Sequence, residues 1–160
     1  MVNYIITRAE IAALPGLDKT HFLNDNAQRN NKSLGDLTGL TGFGFHLIEV
    51  APGRESTEYH VHRFEDECTY ILQGEAEVTI GEQSFAVGAG DFIAYPANGL
   101  PHTMRNCGTT TLRCIVVGER RAHDEVDYPL QGKRLFRNSP QPMNLVDIST
   151  IAYPSAGKKV

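Results

Sequence analysis

The sequence predicts an all-β jelly roll preceded by a short helix. From Gly42 onward, short runs rich in Val, Ile, Thr and aromatic residues follow one another at close spacing, separated by turns bearing Gly or Pro and by no helical pattern. About eight such runs occur, the strand count of a jelly roll. The 160 residues suffice for one domain with a sizeable core. No internal repeat marks a solenoid or propeller.

Taken in order, the first element is a helix. Thr7 stands three residues before Glu10, the spacing of a capping box, with Ile6 and Ile11 at the staple positions on either side. Pro15 and Gly16 should end it. Residues 17–39 read as polar and irregular, with Asn24, Asp25 and Asn26 and then Asn30, Asn31 and Lys32, and are expected to wrap the outside of the barrel without a catalytic pattern. His21 in this segment is expected to be a surface or hydrogen-bonding residue.

Strands are expected at 43–50, 58–62, 67–73, 75–80, 83–87, 91–95, 101–106 and 109–117. Gly81 and Glu82 between two of them read as a hairpin turn. After Gly118 the composition turns polar, and 119–127 reads as outside the barrel, with His123, Asp124 and Glu125 on a solvated charged face. The apolar run 144–151 is expected to pair with a barrel edge or with a partner subunit.

Two stretches carry chemistry. His60 and His62 are two apart, so on a strand both rings point to the same face. Glu67 opens the next strand after the polar, charged Arg63 to Asp66, and a turn there brings its carboxylate back beside the imidazoles. The second stretch, from Gly90 through Pro96 to Asn106, supplies His102. Glu58, two residues before His60, shares its face if the strand has no bulge, and is the candidate acid or base. His46 is expected to be a hydrogen-bonded wall residue.

Together these stretches resemble the paired motifs of the cupin superfamily: a glycine (Gly53) before His-x-His and a glutamate, then glycine, proline and a further histidine before an asparagine. The match is to small single-domain, single-barrel members of bacterial type. In this sequence the spacings from Gly53 to His60 and from Pro96 to His102 are each one residue longer than usual, in turn regions. The resemblance implies a cupin jelly-roll barrel over about 40–118, with flanks at 1–39 and 119–160, in one domain spanning 1–160. It also implies one divalent metal ion held by His60, His62, Glu67 and His102. Three imidazoles and a carboxylate leave two positions of an octahedral ion open, which suits Fe(II), Mn(II), Ni(II) or Zn(II) without choosing among them.

The functional expectation is a metal-dependent enzyme of dioxygenase or isomerase type, acting on a small oxygen-rich metabolite. The alternative is a non-enzymatic cupin that binds or senses a small molecule. A formal net charge of −4 with no run of Lys or Arg argues against nucleic-acid and anionic-membrane partners. No apolar leader or membrane-length segment is seen, and a cytoplasmic location is expected. The three cysteines, Cys68, Cys107 and Cys114, lack metal-type spacing and are expected to be reduced thiols. A homodimer, with a flank crossing to the other barrel, is expected from the exposed edges of such sheets.

Overall fold

A computed structural model describes residues 3–157; the last three residues of the C-terminal flank and the first two of the chain lie outside it. Helix α1 (Arg8–Ala13) starts as its capping box requires: Glu10 N donates to Thr7 Oγ1 at 3.3 Å, and Thr7 N to Glu10 Oε2 at 2.7 Å. Strands β1 (Leu17–His21) and β2 (Asn24–Ser33) and the short helix α2 (Leu34–Leu37) follow. Then come β3 (Phe43–Val50), β4 (Val61–His62), β5 (Glu67–Gln73), β6 (Glu75–Ile80), β7 (Gln83–Gly88), β8 (Phe92–Tyr95), β9 (His102–Asn106) and β10 (Leu112–Glu119). The chain ends with β11 (His123–Tyr128), β12 (Lys133–Asn138) and β13 (Asn144–Asp147).

One layer is a six-stranded sheet in the order β1-β2-β3-β10-β5-β8. Facing it are two smaller sheets, β7-β6-β9 and β13-β12-β11-β4. An isolated bridge between His60 and His102 joins them into the second layer of a jelly roll. The β6–β7 hairpin closes through Gly81 and Glu82, with Ile80 opposite Gln83 and Gly81 at φ +59, a left-handed conformation that glycine takes without cost. Asn98, in the longer turn of the second motif, takes φ +56, and the motif's Asn106 is wholly buried, its amide donating to the carbonyls of Val50 and Thr110.

The interior changes character along the strands. On β3 the inward residues run Val50, Ile48, His46, Gly44; on β10 they run Leu112, Cys114, Val116, Gly118; on β5, Ile71, Thr69, Glu67. The apolar members, with Val78 and Met104, form a packed core at one end of the barrel. Each fully buried Val, Leu or Ile contributes about 1.5–3 kcal/mol. The other end is polar and widened by two glycines, and there the site forms.

The flanks depart from expectation. Residues 17–39 are ordered: β1 and β2 extend the main sheet through pairs such as Asn31 with Ile48. Ala27, Arg29 and Asn31 share one face of β2, with Ala27 and Asn31 buried. Because β2 faces the polar end of the barrel, its inner face is itself polar, and hydropathy gives no alternation to read. Residues 119–127 likewise hold all but the last residue of β11, in which Asp124, Val126, Asp127 and Tyr128 are buried. The charged face expected to be solvated at Asp124 instead turns inward, where His62 compensates the carboxylate. The run 144–151 pairs with its own chain, β13 lying against β12, with a single 3₁₀ turn at 148–150. β13 thereby becomes an outer edge of that sheet. Of the expected strand 58–62 only Val61–His62 pairs as a strand, with β11. Cys68, Cys107 and Cys114 are all free thiols. Among the described residues no helix is long and apolar enough to cross a membrane.

Candidate metal centre

Four elements bring the histidines and the glutamate together. His60 precedes β4, His62 lies on it, Glu67 opens β5 and His102 opens β9. A single oxygen, Glu67 Oε2, stands 3.7 Å from His60 Nε2, 3.9 Å from His62 Nε2 and 3.6 Å from His102 Nε2. The ligand atoms of His60, His62 and Glu67 all lie within 4.8 Å of one another. An ion bound at about 2.1 Å from each donor would set neighbouring donors about 3.0–3.4 Å apart, so the Glu67 distances must shorten by about 0.2–0.9 Å, and His102, which is not in that three-residue group, must move in with them.

The tautomers suit that role. His60 Nδ1 donates to the Glu58 carbonyl at 2.8 Å, and His62 Nδ1 pairs with Asp124 Oδ2 at 2.7 Å, which leaves both Nε2 atoms as lone-pair donors facing Glu67. His102 is more telling: it is buried, and neither ring nitrogen has a hydrogen-bond partner. An orphaned buried imidazole costs about 1–3 kcal/mol unless something else takes its lone pair, and a cation at Glu67 would. The His102 ring stacks on Tyr95, centroids 3.6 Å apart and planes within 4°, which fixes its aim. Burial holds the His102 pKa below its ordinary value despite the pull of Glu67. Burial alone would raise Glu67, but the imidazoles of His102, His60 and His62 outweigh it and hold the carboxyl well below the usual range. Burial would lower the His62 pKa, but its hydrogen bond to Asp124 and the charge of Glu67 outweigh it and raise it, so a cation there must displace a proton held more firmly than usual.

Glu58 takes a different place from the one expected. Its side chain is buried but lines neither the ligand cluster nor the adjoining cavity; its carbonyl anchors His60. His46 does meet expectation, Nδ1 lying 3.1 Å from Ser33 Oγ, with its ring in the cavity wall. Burial first, then Arg120, lowers its pKa, so the ring is neutral at pH 7. His21 accepts a hydrogen bond from Leu23 N, stacks on Phe22 and meets the edge of Tyr128, which in turn stacks on His60; its pKa is brought down to about 4 by burial, His60 and Arg29.

Behind His62 lies a network that the sequence did not disclose. Asp124 Oδ1 accepts from Phe64 N, Glu65 Oε1 accepts from Arg121 N, and Arg137 bridges Glu65 and Asp124. His62, Glu65 and Asp124 are close enough to suggest a second ion, but Arg137 already supplies the cation there. In front of the cluster opens a cavity of about 290 Å³ whose wall includes Arg29, His46, His62, Glu67, Arg120 and Arg137.

Residues 46–118 match the family model of the cupin domain. The chain is a cupin domain protein. This cupin aligns with a proposed sugar phosphate isomerase of Acidithiobacillus ferrooxidans at 45% identity, covering 95% of this chain and 97% of that one, with a TM-score of 0.91. A sugar phosphate isomerase of the cupin superfamily from Silicibacter pomeroyi shares the fold at a TM-score of 0.79 and 21% identity, covering 91% and 95% of the two chains. A Methanocaldococcus jannaschii protein without assigned function is 32% identical over 66 residues, which are 41% of this cupin and 52% of that protein.

Proposed function

We propose that this cupin is a metal-dependent isomerase acting on a phosphorylated sugar. The observation that carries the reading is the cavity: through His62 and Glu67 it joins the cluster to a wall of arginines. Its three arginines face four carboxylates, so a divalent ion turns a net charge of −1 into +1 and suits an anionic, oxygen-rich substrate. The likeness over nearly the whole chain to the Acidithiobacillus protein supports the same substrate class. Bound there, a divalent ion would polarise a carbonyl and its neighbouring hydroxyl as a Lewis acid.

The chain's own residues then supply binding and proton movement. Asp124 and the Glu58 carbonyl hold the two strand imidazoles in register. His46, neutral and facing the cavity, replaces Glu58 as the group suited to take a proton from a carbon next to a carbonyl and return it to the neighbouring carbon. With Nδ1 protonated and donating to Ser33 Oγ, Nε2 carries the lone pair, and the exchange runs there.

The experiment is to load the protein in turn with Fe(II), Mn(II), Ni(II) and Zn(II) and to follow aldose and ketose phosphates by proton NMR in D₂O. Interconversion with solvent deuterium entering the substrate, abolished by His62→Ala, is the expected result. Ligands that bind and emerge unchanged with every metal would favour the binding or sensing reading. Turnover that needs dioxygen would favour the dioxygenase type.

A further inference from the structure

We infer that Arg29 is the anion anchor of the cavity and holds the phosphate group of the substrate. The inference rests on the proposed isomerase reading for the rest of the substrate, and on this chain's geometry for the anchor.

The three cavity arginines are not equivalent. Arg120 is spent on Asp36, and Arg137 on Glu65 and Asp124. Arg29 forms no ion pair among the described residues; its hydrogen bond goes from Nη1 to the Ser56 carbonyl at 2.9 Å, one of five donors used. It stands on the inward face of β2 between the buried Ala27 and Asn31, in the wall shared with His46, His62 and Glu67. Burial strips water from the guanidinium and lowers its pKa, against a partial compensation from the Glu67 charge. Once Glu67 is committed to a cation, that compensation is withdrawn, and a desolvated guanidinium with free donors requires an anion. A guanidinium fork matches two phosphate oxygens. The cavity, at about 290 Å³, has room for a phosphorylated sugar spanning Arg29 and the cluster.

The test uses inorganic phosphate as probe, titrated calorimetrically into metal-loaded protein, with metal content measured for every variant. Arg29→Gln should weaken phosphate about ten- to a hundredfold, the loss expected of a hydrogen-bonded charge pair, with metal content unchanged. Arg120→Gln should weaken it by less than about threefold, because Asp36 already holds that side chain. If Arg29→Gln does not fold, as judged by melting, Arg29→Lys is read in its place and should fall between wild type and the loss expected of Gln. The inference is overturned if wild-type protein ignores millimolar phosphate or if the Arg29 variant binds as wild type does. It is equally overturned if both arginine variants lose the same amount, or if acetate binds as tightly as phosphate. Failure of the isomerase reading appears separately, as intact Arg29-dependent phosphate binding without turnover of any sugar phosphate.

Discussion

Asp124 Oδ2 lies 2.7 Å from His62 Nδ1, across 62 residues of sequence and between the paired strands β4 and β11. The carboxylate is wholly buried, so its charge is tolerated only because the imidazole, Phe64 N and Arg137 meet it. Asp124→Asn should therefore weaken metal binding about 10–100-fold, since an amide can donate to His62 and favour the wrong tautomer. Competition against a fluorescent chelator reads this directly, and an unchanged affinity would remove Asp124 from the centre.

One divalent ion per chain should be taken up, and His60→Ala or His102→Ala should lower its affinity sharply. Affinity should also fall as pH drops, first where His62, whose pKa is raised by Asp124 and Glu67 despite burial, takes the proton that competes with the ion, and at lower pH where His102 does. Elemental analysis of reconstituted protein without a stoichiometric ion would count against the whole site.

Gly44 leaves the room that His46 occupies: a Cβ there would stand 2.6 Å from His46 Nε2. Gly44→Ala should push the ring off its Ser33 bond and lower turnover about tenfold or more while leaving metal content intact. Equal turnover in the variant, measured on the substrate that wild-type protein isomerises, would remove His46 from proton transfer.

Asp127 is paired with Arg63 and with Arg134, the latter at 2.5 Å, tying β11 to the turn after His62 and to β12. Burial would raise its pKa, but the two guanidinium partners outweigh it and hold it below the ordinary value. A depressed folded-state pKa contributes stability above the unfolded value, about 3.9, and loses it as pH falls through the folded one. Asp127→Asn should cost about 1–3 kcal/mol near pH 7, and the gap to wild type should shrink below about pH 4. Urea unfolding at several pH values checks both.

The convergence of the four candidate ligands was legible because side-chain direction on strands is a local property: His60 and His62 stand two apart, and one turn separates His62 from Glu67. So were the β6–β7 hairpin and the Thr7 cap. Arg29, Asp124 and Arg137 were not, because each matters through a partner far away in sequence. A buried Asp124 between His123 and Glu125 looks, in one dimension, like any solvated charged run. Glu58 failed for a related reason: its proposed side-chain role presumed a regular strand through 58–62, whereas pairing begins at Val61 and the residue contributes its carbonyl.

The segment matching the family model, 46–118, contains every ligand candidate and His46, but Arg29 lies before it and Asp124 and Arg137 after it. The cluster and the groups that tune it are thus inherited from different stretches of chain. A lineage could exchange the outer hairpins, and with them substrate charge preference and imidazole basicity, while leaving the ion's immediate surroundings untouched. On that division of labour, chemical divergence among proteins with this interior would accumulate first at β2 and β11, outside the segment 46–118.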